Sequence, residues 1–289
     1  MATLPLEDVL VLEETGPGRF RAQNMSSAET GPTGRPTFII GGQMLAQAIV
    51  AAHRADPAKQ VKSIQAIYAR AGRPGQPLDL DVDVMHTGRS LSSATVTFRQ
   101  PGRLVCRVLV LLDSGERDVI RYAAEYPVFP GPETASDLLG GKSGAMESSS
   151  GSQVRLVGDV DLLTGDATGP AELGVWVRWP QVRTQDPTIH QALSAFYTNM
   201  FLIGAAMRPH KGVGQLGAHE TLSTGPVSHT VVFHEPVNAA QWHLLAVQAV
   251  HAGGGRSYGR GDMLTASGEL VASFAQVNMI REMPAGSVL

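Results

Sequence analysis

Residues 63–68 read SIQAIY and residues 228–233 read SHTVVF, an offset of 165. The offset persists along the chain. Gly88-Arg89-Ser90 recurs as Gly255-Arg256-Ser257 at 167, and Gly102-Arg103-Leu104 finds a weaker echo in Gly268-Glu269-Leu270 at 166. Three landmarks in one order at nearly one spacing make the chain two copies of a single unit. With 289 residues there is enough chain for each copy to be an ordinary domain.

Each copy follows the same grammar. In the first, Gly41-Gly42 precedes QMLAQAIVAAHRA, where Leu45, Ala48, Ile49 and Ala52 fall at helical spacing. In the second, Asp186-Pro187 offers an N-cap followed by proline at the first helical position. Ile189, Leu193, Phe196, Met200 and Phe201 then form an apolar stripe. Strands follow both helices. Leu78, Leu80, Val82 and Val84 alternate with Asp79, Asp81 and Asp83, the period of a half-buried sheet. HLLAVQAV, GRGDMLT and LVASFAQVNMI answer in the second half. A helix on an antiparallel sheet, present twice, is an α+β reading. Between the copies GGKSGAMESSSGSQ is too rich in Gly and Ser to pack a core. The expected units are therefore residues 1–139 and 170–289, joined by a linker over 140–169.

Composition closes off several functions. A net charge of −3, a pI near 6.3 and the lack of any long Lys/Arg run leave no footprint for a nucleic-acid backbone. No stretch approaches the apolar length of a membrane span, and residues 1–10 do not read as a secretion signal. The one cysteine, Cys106, lies in an apolar strand-like run and reads as a small core residue in a reducing, cytoplasmic setting. The nine histidines form no metal-ligand pattern. His229 and His234, five apart on an expected strand, point to opposite faces and read as ordinary strand residues. No nucleotide-binding glycine motif is present, and neither a cofactor nor a metal is expected. Gly255-Arg256-Ser257-Tyr258-Gly259 fits the G-x-S-x-G of a hydrolase nucleophile elbow. The residues after it read as strand and turn instead of helix, and Gly-Arg-Ser recurs at 88, so it reads as a turn shared by the two copies.

SHTVVFHEPV, GRGDMLTASGELVAS and FAQVN in the second half, with FIIGGQMLAQAIVAAH, IYARAGRPG and TGRSLSSATVTFRQ in the first, resemble the acyl-CoA thioesterase II family. The resemblance covers most of the chain outside the linker. It implies a double hotdog, two antiparallel sheets each wrapped around a central helix, acting on acyl-CoA thioesters and assembling into homo-oligomers. In that family an Asp, a Thr and a Gln position the attacking water. Carried over, the Gln falls on Gln276, the Asp on Asn199 and the Thr on Pro226. Asparagine can hold a water but has no useful basicity, and loss of a general base commonly costs roughly a hundred- to ten-thousand-fold in rate. Residues 224, 226 and 228 of a strand share one face, so Ser228 is the candidate replacement hydroxyl, with Thr224 on the other side of the proline the second. The resemblance thus implies hydrolysis through Asn199, Gln276 and Ser228. The alternative is a catalytically weak or inactive acyl-CoA-binding protein on the same fold.

Overall fold

The first copy's alternating strands must bury one face, and a single helix supplies the cover. The computed structural model describes residues 4–28, 37–137 and 151–283. A short helix α1 (Leu6–Val9) and the hairpin β1 (Glu13–Gly16) and β2 (Arg19–Ala22) lead into helix α2 (Gly41–Ala55). Four strands follow: β3 (Gln60–Tyr68), β4 (Leu78–Thr87), β5 (Leu91–Gln100) and β6 (Arg103–Asp113). After β7 (Ser136–Asp137), β8 (Gln153–Leu156) and β9 (Glu172–Arg178) come helices α3 (Pro187–Thr198) and α4 (Leu202–Met207). The chain ends on β10 (Leu222–Phe233), β11 (His243–Gly253), β12 (Arg256–Thr265) and β13 (Leu270–Glu282).

The repeat is visible in the strand order. The first copy runs β4-β5-β6-β3 and the second continues β10-β13-β12-β11, the same order reversed. The shared Gly-Arg-Ser falls between β4 and β5 in the first copy, whereas in the second only its Gly255 lies in the β11–β12 turn and Arg256 and Ser257 open β12. Gly102 and Gly268 sit in the β5–β6 and β12–β13 turns with φ of 72° and 89°, a region that favours glycine and explains why the glycine is repeated.

The expected pair of sheets is instead one antiparallel sheet of 13 strands, because β3 and β10 pair edge to edge. Ser63 stands opposite Val232, Ile64 opposite Val231 and Ile67 opposite Ser228. The two hexapeptides that betray the repeat are thus each other's partners. Unpaired, each would expose a row of backbone donors and acceptors, and pairing removes both edges together.

The interval assigned to a linker divides. Residues 140–150 lie outside the described residues, whereas 153–156 form β8 and pair with β9. Residues of the 1–139 interval also cross over. Tyr126, Phe129 and Ala135 pack against Trp176, Leu244 and Leu264 of the second copy, and the Trp176 indole donates to the Pro130 carbonyl at 2.9 Å.

α2 packs on β3, β4, β5 and β6 and against α3, so its residues from Gly41 to Ala52 are buried. The helix takes in both glycines that the sequence places before it. The reason is the approach of α3: a Cβ on Gly42 would lie 2.3 Å from the Phe196 carbonyl oxygen. The buried amides of α2 are satisfied, Gln43 accepting from the Met25 N–H and Gln47 donating to the Val9 and Gln23 carbonyls. α3 is capped as its sequence predicts, the Asp186 side chain accepting from the Thr188 N–H at 2.8 Å with Pro187 in the first turn. The helix ends at Thr198, however, so Met200 and Phe201 belong to the break before α4 and not to a continuous stripe. No described helix is long and apolar enough to cross a membrane.

Gly42→Ala forces a methyl group onto helix backbone that has no rotamer with which to yield. It is expected to lower unfolding free energy by about 1–3 kcal/mol, the usual cost of overpacking. Chemical denaturation measures this, and an unchanged midpoint would show that the α2–α3 approach is looser than described.

Candidate active site

The break after α3 brings polar side chains into an otherwise apolar core. Asn199 caps α3, with φ −86° and ψ −9°. Its Nδ2 donates to Gln276 Oε1 on β13 at 2.8 Å and to the Tyr68 hydroxyl on β3 at 3.3 Å. The Tyr68 hydroxyl in turn donates to the Gly41 carbonyl at 3.2 Å. Gln276 Nε2 donates to Asn278 Oδ1, and Asn278 Nδ2 donates to Ser257 Oγ at 3.1 Å. Each amide therefore donates onward in one direction from Asn199 to Ser257. With its donors spent on Gln276 and Tyr68, Asn199 keeps Oδ1 as an acceptor. That oxygen faces the start of α2, where a Cβ on Gly41 would stand only 2.6 Å away.

Two of the three sequence-derived residues, Asn199 and Gln276, are in direct contact. Ser228 is not with them, and the cause is a β-bulge. Pro226 pairs with Asn278, but the register then shifts, so that Ser228 pairs with Val277 and His229 with Gln276. Val227 is the extra residue, and it reverses the alternation beyond it. Ser228 turns to the outer face with Val277, while His229 takes the inner position beside Gln276. Thr224, also buried, shares the face of Pro226 two pairs further along, opposite Ile280.

His229 is fully buried. Its Nε2 lies 2.8 Å from Thr198 Oγ1, which itself lies 2.6 Å from the Ala195 carbonyl. A carbonyl can only accept, so the threonine proton goes to Ala195 and Oγ1 accepts from Nε2–H. This fixes the tautomer and leaves Nδ1 as a bare lone pair with no hydrogen-bond partner. A buried acceptor left unpaired costs about 1–3 kcal/mol. Burial pushes the imidazole pKa down to about 3, partly opposed by the hydrogen-bonding Gln276 side chain, which lies close to the ring although no bond to Nδ1 reaches hydrogen-bond geometry, so the ring is neutral at ordinary pH. Burial, and after it the Cys106 thiol, holds the Tyr68 phenol well above its usual value, so Tyr68 stays protonated. Cys106 is itself buried and pushed up to about 12, which leaves it unreactive.

Sequence reasoning overlooks His229, Tyr68 and Asn278. A signal for His229 exists in the repeat. At the offsets of 165 and 166, His229 and Gln276 correspond to Ile64 and Val110, which form the equivalent pair on β3 and β6 and are buried apolar residues. The polar pair breaks the repeat. Ser257, the serine of G-x-S-x-G, is buried on β12 with no sharp strand-to-helix turn beside it. Clefts of about 840 and 880 Å³ open elsewhere, lined by residues such as Tyr258, Arg260, Tyr126 and Leu270, and neither includes Asn199 or Gln276. Among the described residues no three His, Cys, Asp or Glu side chains cluster as a metal site.

Comparison with known proteins gives a consistent picture. Residues 31–112 match the family model of the acyl-CoA thioesterase N-terminal domain, and residues 125–280 match that of the C-terminal domain. The chain is similar to acyl-CoA thioesterase 2 of Haemophilus influenzae, 26% identical over 255 residues that cover 84% of this chain and 87% of that protein. Its fold is similar to that of an acyl-CoA thioesterase II, TesB2, from Mycobacterium marinum. That match has a TM-score of 0.78 at 24% identity and covers 98% of this chain and 100% of that one. A hot dog fold protein from Alicyclobacillus acidocaldarius matches with a TM-score of 0.72 at 18% identity, over 96% and 97% of the two chains. The architecture is thus a hotdog, here with its strands in one continuous sheet.

The buried neutral histidine makes stability depend on pH. Between its folded value of about 3 and the ordinary 6.5, only the unfolded chain binds this proton. Stability is therefore unaffected by His229 above pH 6.5 and falls as pH drops below it, by up to about 1.4 kcal/mol per pH unit. Urea unfolding from pH 7 to pH 4 is expected to show this slope, reduced by one proton in His229→Gln. Equal slopes in the two proteins would mean that His229 titrates normally.

Proposed function

This chain belongs to the acyl-CoA thioesterase family, and on that footing we propose that it hydrolyses acyl-CoA thioesters with a water held at the hydrogen-bonded pair Asn199 and Gln276. The reaction, thioester to free acid and CoA, follows from family membership. The observation that supports the site is the 2.8 Å hydrogen bond between Asn199 and Gln276, formed beside the start of α2 where the two copies meet.

Each element of the arrangement has a chemical use. The start of α2 carries no side-chain cap from Ile40, so its first N–H groups and the positive end of the helix dipole are available to a carbonyl oxygen that gains charge. Glycine at 41 and 42 keeps that end free of side chains. Asn199 Oδ1 can accept from a water, and Gln276 fixes the asparagine in the orientation that leaves Oδ1 free. Pro226 faces the site without a hydroxyl, and Ser228 faces away from it, so neither supplies the missing group.

The proposal extends to setting and assembly. A buried, unreactive Cys106 suits a reducing cytoplasm. Ile67, Met85 and Leu109 expose apolar side chains on strands of the first copy, which supports self-association.

Release of free CoA from short-, medium- and long-chain acyl-CoA tests the reading. The wild type is expected to turn over, Gln276→Ala to lose about a hundredfold or more in kcat, and Ser228→Ala to stay within about twofold. Saturable acyl-CoA binding with no CoA released by the wild type would replace the hydrolase with a binding protein. A large loss in Ser228→Ala would restore the serine to the site.

A further inference from the structure

We propose that His229 Nδ1 is the general base of this site, taking the proton of the water held by Asn199 and Gln276; the assignment rests on the hydrolase reading above. The side chains that the structure gathers around Asn199 are Tyr68, Gln276, Asn278, Ser257, Thr198 and His229. Amides are not bases, the hydroxyls of serine and threonine are not bases, and Tyr68 is held protonated. His229 alone among them carries a basic lone pair.

Geometry supports the same assignment. His229 and Gln276 stand directly opposite one another on β10 and β13, so a water bound to Gln276 would lie beside the imidazole. Thr198 sits next to Asn199 at the end of α3, and by accepting from Nε2–H it turns the other nitrogen into the acceptor. A nucleophile held near a base that a third group orients is the arrangement that acyl transfer requires. The orphaned Nδ1 has no structural partner to serve. Nor does the fold require a histidine there, since the equivalent pair in the other copy is Ile64 and Val110, both buried and apolar. Burial keeps the ring unprotonated at neutral pH, so its lone pair is present in the resting site.

The step balances without any further reagent. As the water oxygen bonds to the thioester carbonyl carbon, one water proton passes to Nδ1, leaving an imidazolium whose Nε2–H remains on Thr198. The tetrahedral intermediate collapses, the carbon–sulfur bond breaks, and Nδ1–H returns its proton to the departing sulfur. The products are the free acid and the CoA thiol, with His229 neutral again.

The test is steady-state CoA release from the wild type, His229→Gln, and His229→Gln combined with Asn199→Asp. Glutamine can still donate to Thr198 but has no basic nitrogen. The single variant is expected to lose about a hundredfold or more in kcat with KM changed less than about threefold. The double variant, which places a carboxylate beside the same water, is expected to recover at least about tenfold. Should His229→Gln not fold, Thr198→Val keeps the imidazole but releases its tautomer, and about a tenfold loss in kcat at unchanged KM is expected. A kcat within threefold of wild type in His229→Gln, or a loss that the carboxylate does not recover, overturns the base assignment and leaves the hydrolase reading standing. No turnover by the wild type overturns both.

Discussion

The pairing of β3 with β10 is the interaction on which the rest of the molecule depends. It converts two half-sheets, each with an open edge, into one sheet of 13 strands, and backbone hydrogen bonds hold the copies in register. That register decides what meets across the seam. Tyr68 ends β3 and His229 lies on β10, so the join brings side chains from both copies to one place. The helices follow. α2 of the first copy lies against α3 of the second at a distance that only glycine permits, and the start of one helix is thereby set beside the end of the other.

What collects at that point is expensive to bury. Asn199, Gln276, Asn278, Thr198 and His229 are all almost wholly withdrawn from solvent. Buried amides are tolerated when they are hydrogen-bonded, and the one-way run of hydrogen bonds from Asn199 to Ser257 gives each of them a partner. The exception is Nδ1 of His229. An unsatisfied atom inside a satisfied network is where a ligand or a reacting group belongs. The other copy has Ile64 and Val110 in these positions, so the duplicated unit carries this polar pair only once.

Much of the architecture was legible in the sequence. The repeat offsets located the duplicated strands and turns, and the glycines at 102 and 268 marked turns that need positive φ. Asp186-Pro187 marked the start of α3, because capping is a local interaction between residues two apart. Asn199 and Gln276 were found through family resemblance, and the structure brings them into contact. Ser228 lies apart from them because the strand is not regular: a bulge at Val227 adds one residue and reverses every side chain beyond it. Alternation read along a single strand cannot reveal that shift, since the partner strand defines it.

The chain by itself therefore determined the repeat, the elements and their caps, all of which arise from neighbours close in sequence or from periodicity. It also determined which residue types were available for chemistry, an amide at 199 and a proline at 226 among them. Only the tertiary structure decided that the strands form one sheet, that Ser228 faces outward, and that His229 faces in with one nitrogen tied to Thr198 and the other free. Those outcomes depend on pairing between strands that lie far apart in the chain, and on the direction in which a shared hydroxyl spends its single proton.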